Sequence, residues 1–470
     1  MVAFFEEIFI KMANNSLQAA ALQKDITPPL GTLINGEFQT RYANKIHDPL
    51  YAKSLVLKKN DTVLVFVIVD ICAMQQDFLD EVKADIFKAT GIPKSHVLIS
   101  STHTHSAGAI VDLLMGHADL TYRKKLHQIL VDLVIETHAV VREAKIAFGA
   151  VDAPEHVLCR RYKMASGYKA FNPVTGGYDV VKTNPFGDEE YILEGNSAPD
   201  PQLAYLAIKG LDDQWIALLA NYSLHYVGDV DRGTISADYF GCFAKRLSEV
   251  LSVNDSNFVA MMSNGTSGEI NIWDFRDADR YPKEQHRKSA YIGQDLADKV
   301  LQHLKNLQWE EYPALEALYA ELPVRVRKPS AQELEEAKRV VRDTDYEHIT
   351  LDADGYRRIY AREQVLLDAF PEQRHFYIQS FRIGSGIIGA LGGEFFAETG
   401  LALKAKAASG KYFTICLAND YVGYVPPKHE IMLGGYETWR CRTSFLEEIA
   451  EEKISGVLSE QIEQHIHELV

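Results

Sequence analysis

A chain of 470 residues, 47% hydrophobic and 24% charged, is long enough to bury a large core and too apolar to stay unfolded. Its 65 acidic against 49 basic side chains leave a formal charge of −16, which repels phosphate backbones and anionic lipid surfaces and argues against nucleic acid as a partner. The five cysteines are widely spaced and form no C-x-x-C pair, so they suggest neither a disulfide framework nor a thiolate metal site, but buried thiols in a reducing, cytoplasmic compartment.

The opening MVAFFEEIFIKM carries Glu6 and Glu7 where a secretory signal needs positive charge, and its apolar run is too short to cross a bilayer. The polar run from Ala13 to Gln18 reads as a frayed terminus with Met12 as an alternative start, so residues 1–20 are expected as a flexible segment. TVLVFVIVD, Thr62 to Asp70, is a nearly continuous β-branched and aromatic run, which predicts a strand covered on both faces. A helix through Leu79, Val82 and Ile86 follows, stopped by Gly91 and Pro93. HVLISS predicts a second buried strand, and Leu126 to Val141 a long helix.

Lys163 to Pro201 is rich in Gly, Pro, Asn and Tyr without a period, which marks a candidate substrate-covering loop. LAYLAIKG and WIALLANYSL are joined only by LDDQ, a hairpin connection, and a second hairpin surrounds Gly384 and Gly386. YFTICLAN reads as one more interior strand. Helices are expected at Tyr239 to Leu251, Glu284 to Leu304, Ala331 to Arg342, Phe395 to Ala407 and Glu447 to His467.

The sharpest local feature is STHTHSAG, Ser101 to Gly108, at the end of a buried strand. Alternation along an extended chain would point His103 and His105 to one face, so that one holds a metal and the other works beside it. Alone, H-x-H is a weak marker in a chain with 16 histidines, and His465 with His467 supplies another on a polar helix. Other polar residues also follow interior strands, where open sheets keep their sites: His225, Glu394 after two glycines, and Tyr421, Tyr424 and Tyr436. Taken singly, Glu394 reads equally as a carboxylate at a helix N-terminus and the tyrosines as rim packing.

As an ordered set, these pieces resemble the catalytic domain of the neutral, non-lysosomal ceramidases. THTHSAG is similar to that family's T-H-T-H-S-G, GGEFF to its G-E-F, and NDYVGYV to its N-x-Y-x-x-Y, with Tyr436 twelve residues after Tyr424 in a Y-E pair. The resemblance runs from Ala21 to the C-terminus. It implies an α+β fold of two packed mixed or antiparallel sheets flanked by helices, as a single domain over 21–470 with a helical insertion around 331–372. It also implies Zn2+ held by His103, His225, Glu394 and Tyr424, with His105, Tyr436 and Arg160 as catalytic residues.

The implied reaction is attack of metal-activated water on an amide, with His105 moving the proton to the leaving amine and Tyr436 donating to the oxyanion. Arg160 sits beside Arg161 in LCRRY, with Cys159 where the family has Asn, so the register of the arginine is open, and a surface ion pair is the alternative. Asp70 is expected to orient a ligating imidazole, and Asn264, in NGTSGEIN, to shape the pocket floor with its glycines.

The chain departs from the family in two ways. Its expected form lacks the family's C-terminal immunoglobulin-like domain, and Ser106 to Ile110 replace the glycine-rich G-P-G-G, which alters the rim that admits a lipid chain. The expected substrate is therefore a small molecule or an N-acyl lipid such as ceramide, without nucleic acid and without a transmembrane segment. Ester or lactone hydrolysis on a small polar substrate, or a non-catalytic zinc-containing ligand-binding role, are the alternatives. Nothing in the pattern fixes an oligomeric state.

Overall fold

The computed structural model describes residues 16–252, 257–407 and 410–467. Twelve main strands fall into two sheets. The larger is built from β1 (Gln18–Asp25), β2 (Tyr51–Lys59), β3 (Thr62–Val69), β4 (Val97–Ser101), β5 (Arg142–Asp152), β6 (Gln202–Gly210), β7 (Trp215–Tyr222) and β8 (Val259–Asn264). Its order is β8-β7-β6-β5-β1-β2-β3-β4. The smaller runs β9 (Leu315–Arg325), β10 (Gln373–Ile383), β11 (Gly386–Leu391), β12 (Tyr412–Ile415).

Most neighbours are antiparallel, but three pairs are parallel: β3 with β4, β7 with β8, and β11 with β12. Each is connected through a helix: α1 (Gln76–Thr90), α3 (Asp238–Leu251) and α7 (Ala397–Ala407) respectively. A parallel crossover leaves the C-terminal ends of both strands on one side of the sheet. All three point their ends at the same place.

The sequence of β3 shows how the layers stack. Val63, Val65, Val67 and Val69 face outward into a core shared with α1 and α2 (Leu120–Ala139). Leu64, Phe66 and Ile68 face inward and meet Phe381, Ile388 and Phe413 of the second sheet. This is the two-sided burial that a continuous apolar run requires. Over β6 to β8 the outer face is covered by α3 and α4 (Arg287–His303), and the outer face of the second sheet by α7 and α8 (Ala450–His467). The architecture is α+β, two mixed sheets packed face to face with helices on both outer sides.

Several boundaries differ from the sequence expectation. The first strand begins at Gln18, inside the segment expected to be flexible, because Ala19 and Ala21 are buried in the core between the sheets; residues 1–15 of that segment lie outside the described residues. Four strands were not expected: β2, β5, β8 and β9. In β9 most residues are half exposed at a sheet edge, so no apolar period is written into it.

The stretch from Lys163 to Pro201 is also not a bare loop. Arg161–Met164, Val181–Thr183 and Ile192–Gly195 form a small three-stranded sheet, and Ala170–Phe171 pairs with Tyr178–Asp179. Strands this short are held by backbone pairing and leave no hydrophobic period to read. Helices α5 (Ala331–Arg342) and α6 (Ala353–Asp368) form the expected pair within 331–372, the first opened by a capping box of Ser330 and Glu333. Among the described residues no helix is long and apolar enough to cross a membrane.

Candidate functional site

The three parallel strand pairs deliver their side chains to one point. The chain leaving β12 is the clamp. Cys416 N–H donates to Asn264 O at the end of β8, while Leu417 O accepts from Ser101 and Asn419 N–H donates to Ile99 O, both on β4. One short segment thus joins both outer edges of the large sheet to the smaller one. It adopts left-handed backbone at Leu417 and Asn419, φ 52° and 66°, and for a leucine that conformation persists only where surrounding bonds demand it.

His103 and His105 do come together, though not by strand alternation. β4 ends at Ser101, and His103 has φ 72°, held by its own N–H to Ile71 O and by Thr104 Oγ1 donating to Ser236 O. The turn, rather than an extended chain, sets the two Nε2 atoms 3.1 Å apart.

His103 Nδ1 lies 2.7 Å from Cys72 O and His225 Nδ1 3.2 Å from Ser267 O. A carbonyl only accepts, so each Nδ1 carries the proton and each Nε2 presents a lone pair. Those lone pairs face Glu394 Oε2, at 3.5 Å from His103 and 3.6 Å from His225. Glu394 is buried, its Oε1 accepts from Tyr421 OH at 2.9 Å, and its Oε2 has no hydrogen-bond partner among the described residues.

A buried carboxylate oxygen without a partner is costly, and here it lies with two imidazole lone pairs in a cluster whose ligand atoms are all within 4.8 Å of one another. Two imidazoles and a carboxylate match the donor set of a catalytic zinc site, so these residues fit a divalent metal of that kind.

Around this centre lies a cavity of about 610 Å³ lined by His105, His225, Arg160, Tyr424 and Tyr436 among others. His105 stacks on Tyr226, with ring centroids 3.7 Å apart and planes within 14°. Its other side meets the chain at Gly36, where φ is 96° and an added Cβ would sit 2.7 Å from His105 Nδ1. Burial, with His103 next to it, holds the His105 pKa well below the ordinary histidine range, so the ring is neutral at neutral pH.

The two adjacent arginines point different ways. Arg160 reaches the cavity, with Nη2 donating to Tyr424 OH at 3.0 Å and to Gly268 O at 2.6 Å, and Nε donating to Glu437 at 2.7 Å. Arg161 turns away and ties Glu437 to Glu430 and Gly434 O. Burial alone would raise the Glu437 pKa, but the two guanidiniums outweigh it and hold the carboxyl below its usual range.

The other expected positions divide. Tyr421 braces Glu394, as described. Asn264 is fully buried behind the site, where it accepts from Ser267 and donates to Thr102 O at 3.4 Å, so it stiffens the histidine turn rather than lining the floor. Asp70 corrects the expectation. It accepts from Tyr51 N–H at 3.0 Å and faces Lys53 at 3.8 Å, and the carbonyl of Cys72 takes the imidazole proton assigned to it. Sequence reasoning missed Tyr226, adjacent to His225, and Glu437, adjacent to Tyr436. A tyrosine following a candidate ligand and a carboxylate matching a buried Arg-Arg pair were the available signals.

No family model matches the chain, and no curated protein matches it in sequence. Solved structures match it in fold. The crystal structure of neutral ceramidase from Pseudomonas aeruginosa superposes with a TM-score of 0.70 over 95% of this chain and 74% of that one, at 15% identity. A ceramidase complexed with C2 gives 0.67, over 95% and 75%, also at 15% identity. The chain has a ceramidase-like fold.

Proposed function

We propose that this protein is a zinc-dependent hydrolase that cleaves an amide bond of the N-acyl type, with His103, His225, Glu394 and Tyr424 as the residues that would hold the metal. The observation that carries this reading is the unpartnered Glu394 Oε2 facing two imidazole lone pairs, of which His225 lines a 610 Å³ cavity. The likeness of the fold to two ceramidases supports it. A bound zinc ion would supply Lewis-acid polarisation of a carbonyl and a water of lowered pKa.

The chain's own residues supply the rest. His105, neutral and fixed between Tyr226 and the Gly36 turn, takes up a proton and delivers it to the departing nitrogen. Tyr436, on the same cavity wall, donates its hydroxyl to the oxygen that gains charge. Arg160 adds a fixed positive charge beside Tyr424, and Tyr421 keeps Glu394 from rotating. A single metallohydrolase unit over 21–470 and a cytoplasmic location belong to the same reading; the five free thiols support the second.

An ester or lactone hydrolase is the second reading. The cavity wall favours it in one respect, because Lys182, Thr183, Asn184 and Asn271 make one side polar, which suits a compact polar substrate better than a two-chain lipid. The test is elemental analysis of wild type and His225→Ala, followed by turnover of matched amide, ester and lactone substrates. Stoichiometric zinc that is lost in the variant, with amide cleavage dominant, is the expected result. A protein that takes up no zinc on remetallation would overturn the reading.

A further inference from the structure

We infer that the molecule taken into this cavity carries a single negative charge, received by Lys182; this deepens the hydrolase reading and rests on it for the word substrate. The inference comes from the charges along the wall and where each is spent. Glu37 faces Arg41 at 3.0 Å. Arg160 is committed to Glu437, Gly268 O and Tyr424 OH. Asp352 caps α6 by accepting from Gly355 N–H at 2.9 Å, where the helix dipole compensates a carboxylate.

Lys182 is the exception. It lines the cavity, is half-buried, and among the described residues has no carboxylate within ion-pair distance.

The strand that carries it is built to hold it there. Val181 and Thr183 turn to one side of the strand and Lys182 to the other, where it lines the cavity. Thr183 donates to Glu437 at 2.8 Å and accepts from Tyr436 N–H at 3.2 Å, which anchors the strand to the site itself. Next to it Asn184 Oδ1 accepts from Asn271 Nδ2 at 2.7 Å, and among the described residues its own amide N–H groups have no acceptor. Lys182 and Asn184 both line this wall, and an ammonium with an amide donor is the chemistry that receives a carboxylate.

The wall bearing Phe38, Tyr356, Tyr436 and Trp439 is aromatic, with rings 5.4 to 6.0 Å apart in edge contacts, and takes hydrocarbon. The ligand class that fits both walls is an N-acyl amino acid, a hydrocarbon acyl group joined by an amide to a carboxylate-bearing amine.

Three conjugates of one acyl group test this: N-hexanoylglycine, N-hexanoylethanolamine and N-hexanoylethylenediamine, which are anionic, neutral and cationic. Calorimetric titration of the zinc-loaded protein should show the glycine conjugate binding roughly five- to tenfold tighter than the ethanolamine conjugate. That preference should shrink in about 0.5 M NaCl. Lys182→Gln should erase it and leave the neutral conjugate unchanged, and Lys182→Glu should favour the cation.

Equal binding of the three by wild type, or equal weakening of all three by Lys182→Gln, would overturn the assignment. Hydrolysis read in parallel separates the two ideas. Cleavage without charge preference removes the anion site alone. Charge-selective binding without cleavage supports the anion site and removes the hydrolase reading, and neither binding nor cleavage removes both.

Discussion

The floor and the mouth of the cavity are built on opposite plans. The floor carries His225 with His103 and Glu394 buried behind it, all following strands, each imidazole fixed by a backbone carbonyl and the sheets clamped together by the segment after β12. The mouth is made from short pairings and turns: Phe171, Lys182 and Phe186 from one stretch, Leu351, Asp352 and Tyr356 from the helical pair, and Trp439 just after a 3-10 turn. A side chain on a strand end held by buried hydrogen bonds has little freedom, and one on a surface turn has more. On the proposed function the floor does the chemistry and the mouth selects, and substitutions should separate them.

The largest effect belongs to the floor. His225→Ala should remove the metal and lower activity by roughly a thousandfold or more, read together by elemental analysis and turnover. Retention of stoichiometric zinc would break the comparison at its base.

Gly36→Ala acts on the floor from outside. The added methyl would press on His105 Nδ1, so kcat should fall by about a hundredfold with zinc content unchanged.

Glu437→Gln leaves Arg160 and Arg161 buried around a neutral amide, and the loss in stability should be about 3 kcal/mol in urea unfolding. A loss in activity without a loss in stability would mean that Glu437 serves the mouth and not the frame.

Glu269 gives a pH signature. Burial pushes its carboxyl from 4.5 up to about 8, offset only in part by the Ala397 N–H. The folded state therefore holds a proton that the unfolded state releases at lower pH. That contribution is complete below about pH 4.5 and is lost as pH rises to about 8. Glu269→Gln should flatten the fall in melting temperature of the metal-free protein between pH 5 and 8, and an unchanged slope would exclude the protonated carboxyl.

The smallest effect belongs to the mouth. Phe186, exposed at the rim and packed on Trp273 at 5.0 Å, should on change to Ala raise KM a few-fold and leave kcat and zinc content alone. A fall in kcat instead would join the two regions.

What was legible in the sequence follows the same division. The buried runs of β3 and β4 and the amphipathic helices could be read because burial on both faces or on one stripe writes a period into the residues. The ligand candidates could be read because they stand after such runs, as His225 does after β7 and Glu394 after β11. The small strands within Lys163 to Pro201 could not, since their pairing is a backbone matter and their side chains are mixed. Asp70 was misassigned because a carboxylate at a strand end looks the same from the sequence whether it faces an imidazole or, as here, Lys53.

The sequence by itself determined the layers, the strand ends and the residue types that hold and move charge, since these depend on local hydrophobic pattern and side-chain chemistry. Only the tertiary structure decided which of two adjacent arginines enters the cavity, that a left-handed His103 and not an extended strand brings two imidazoles together, and that Lys182 has no carboxylate partner among the described residues. Those facts depend on segments more than a hundred residues apart meeting through directional bonds, and such meetings leave no period in the chain.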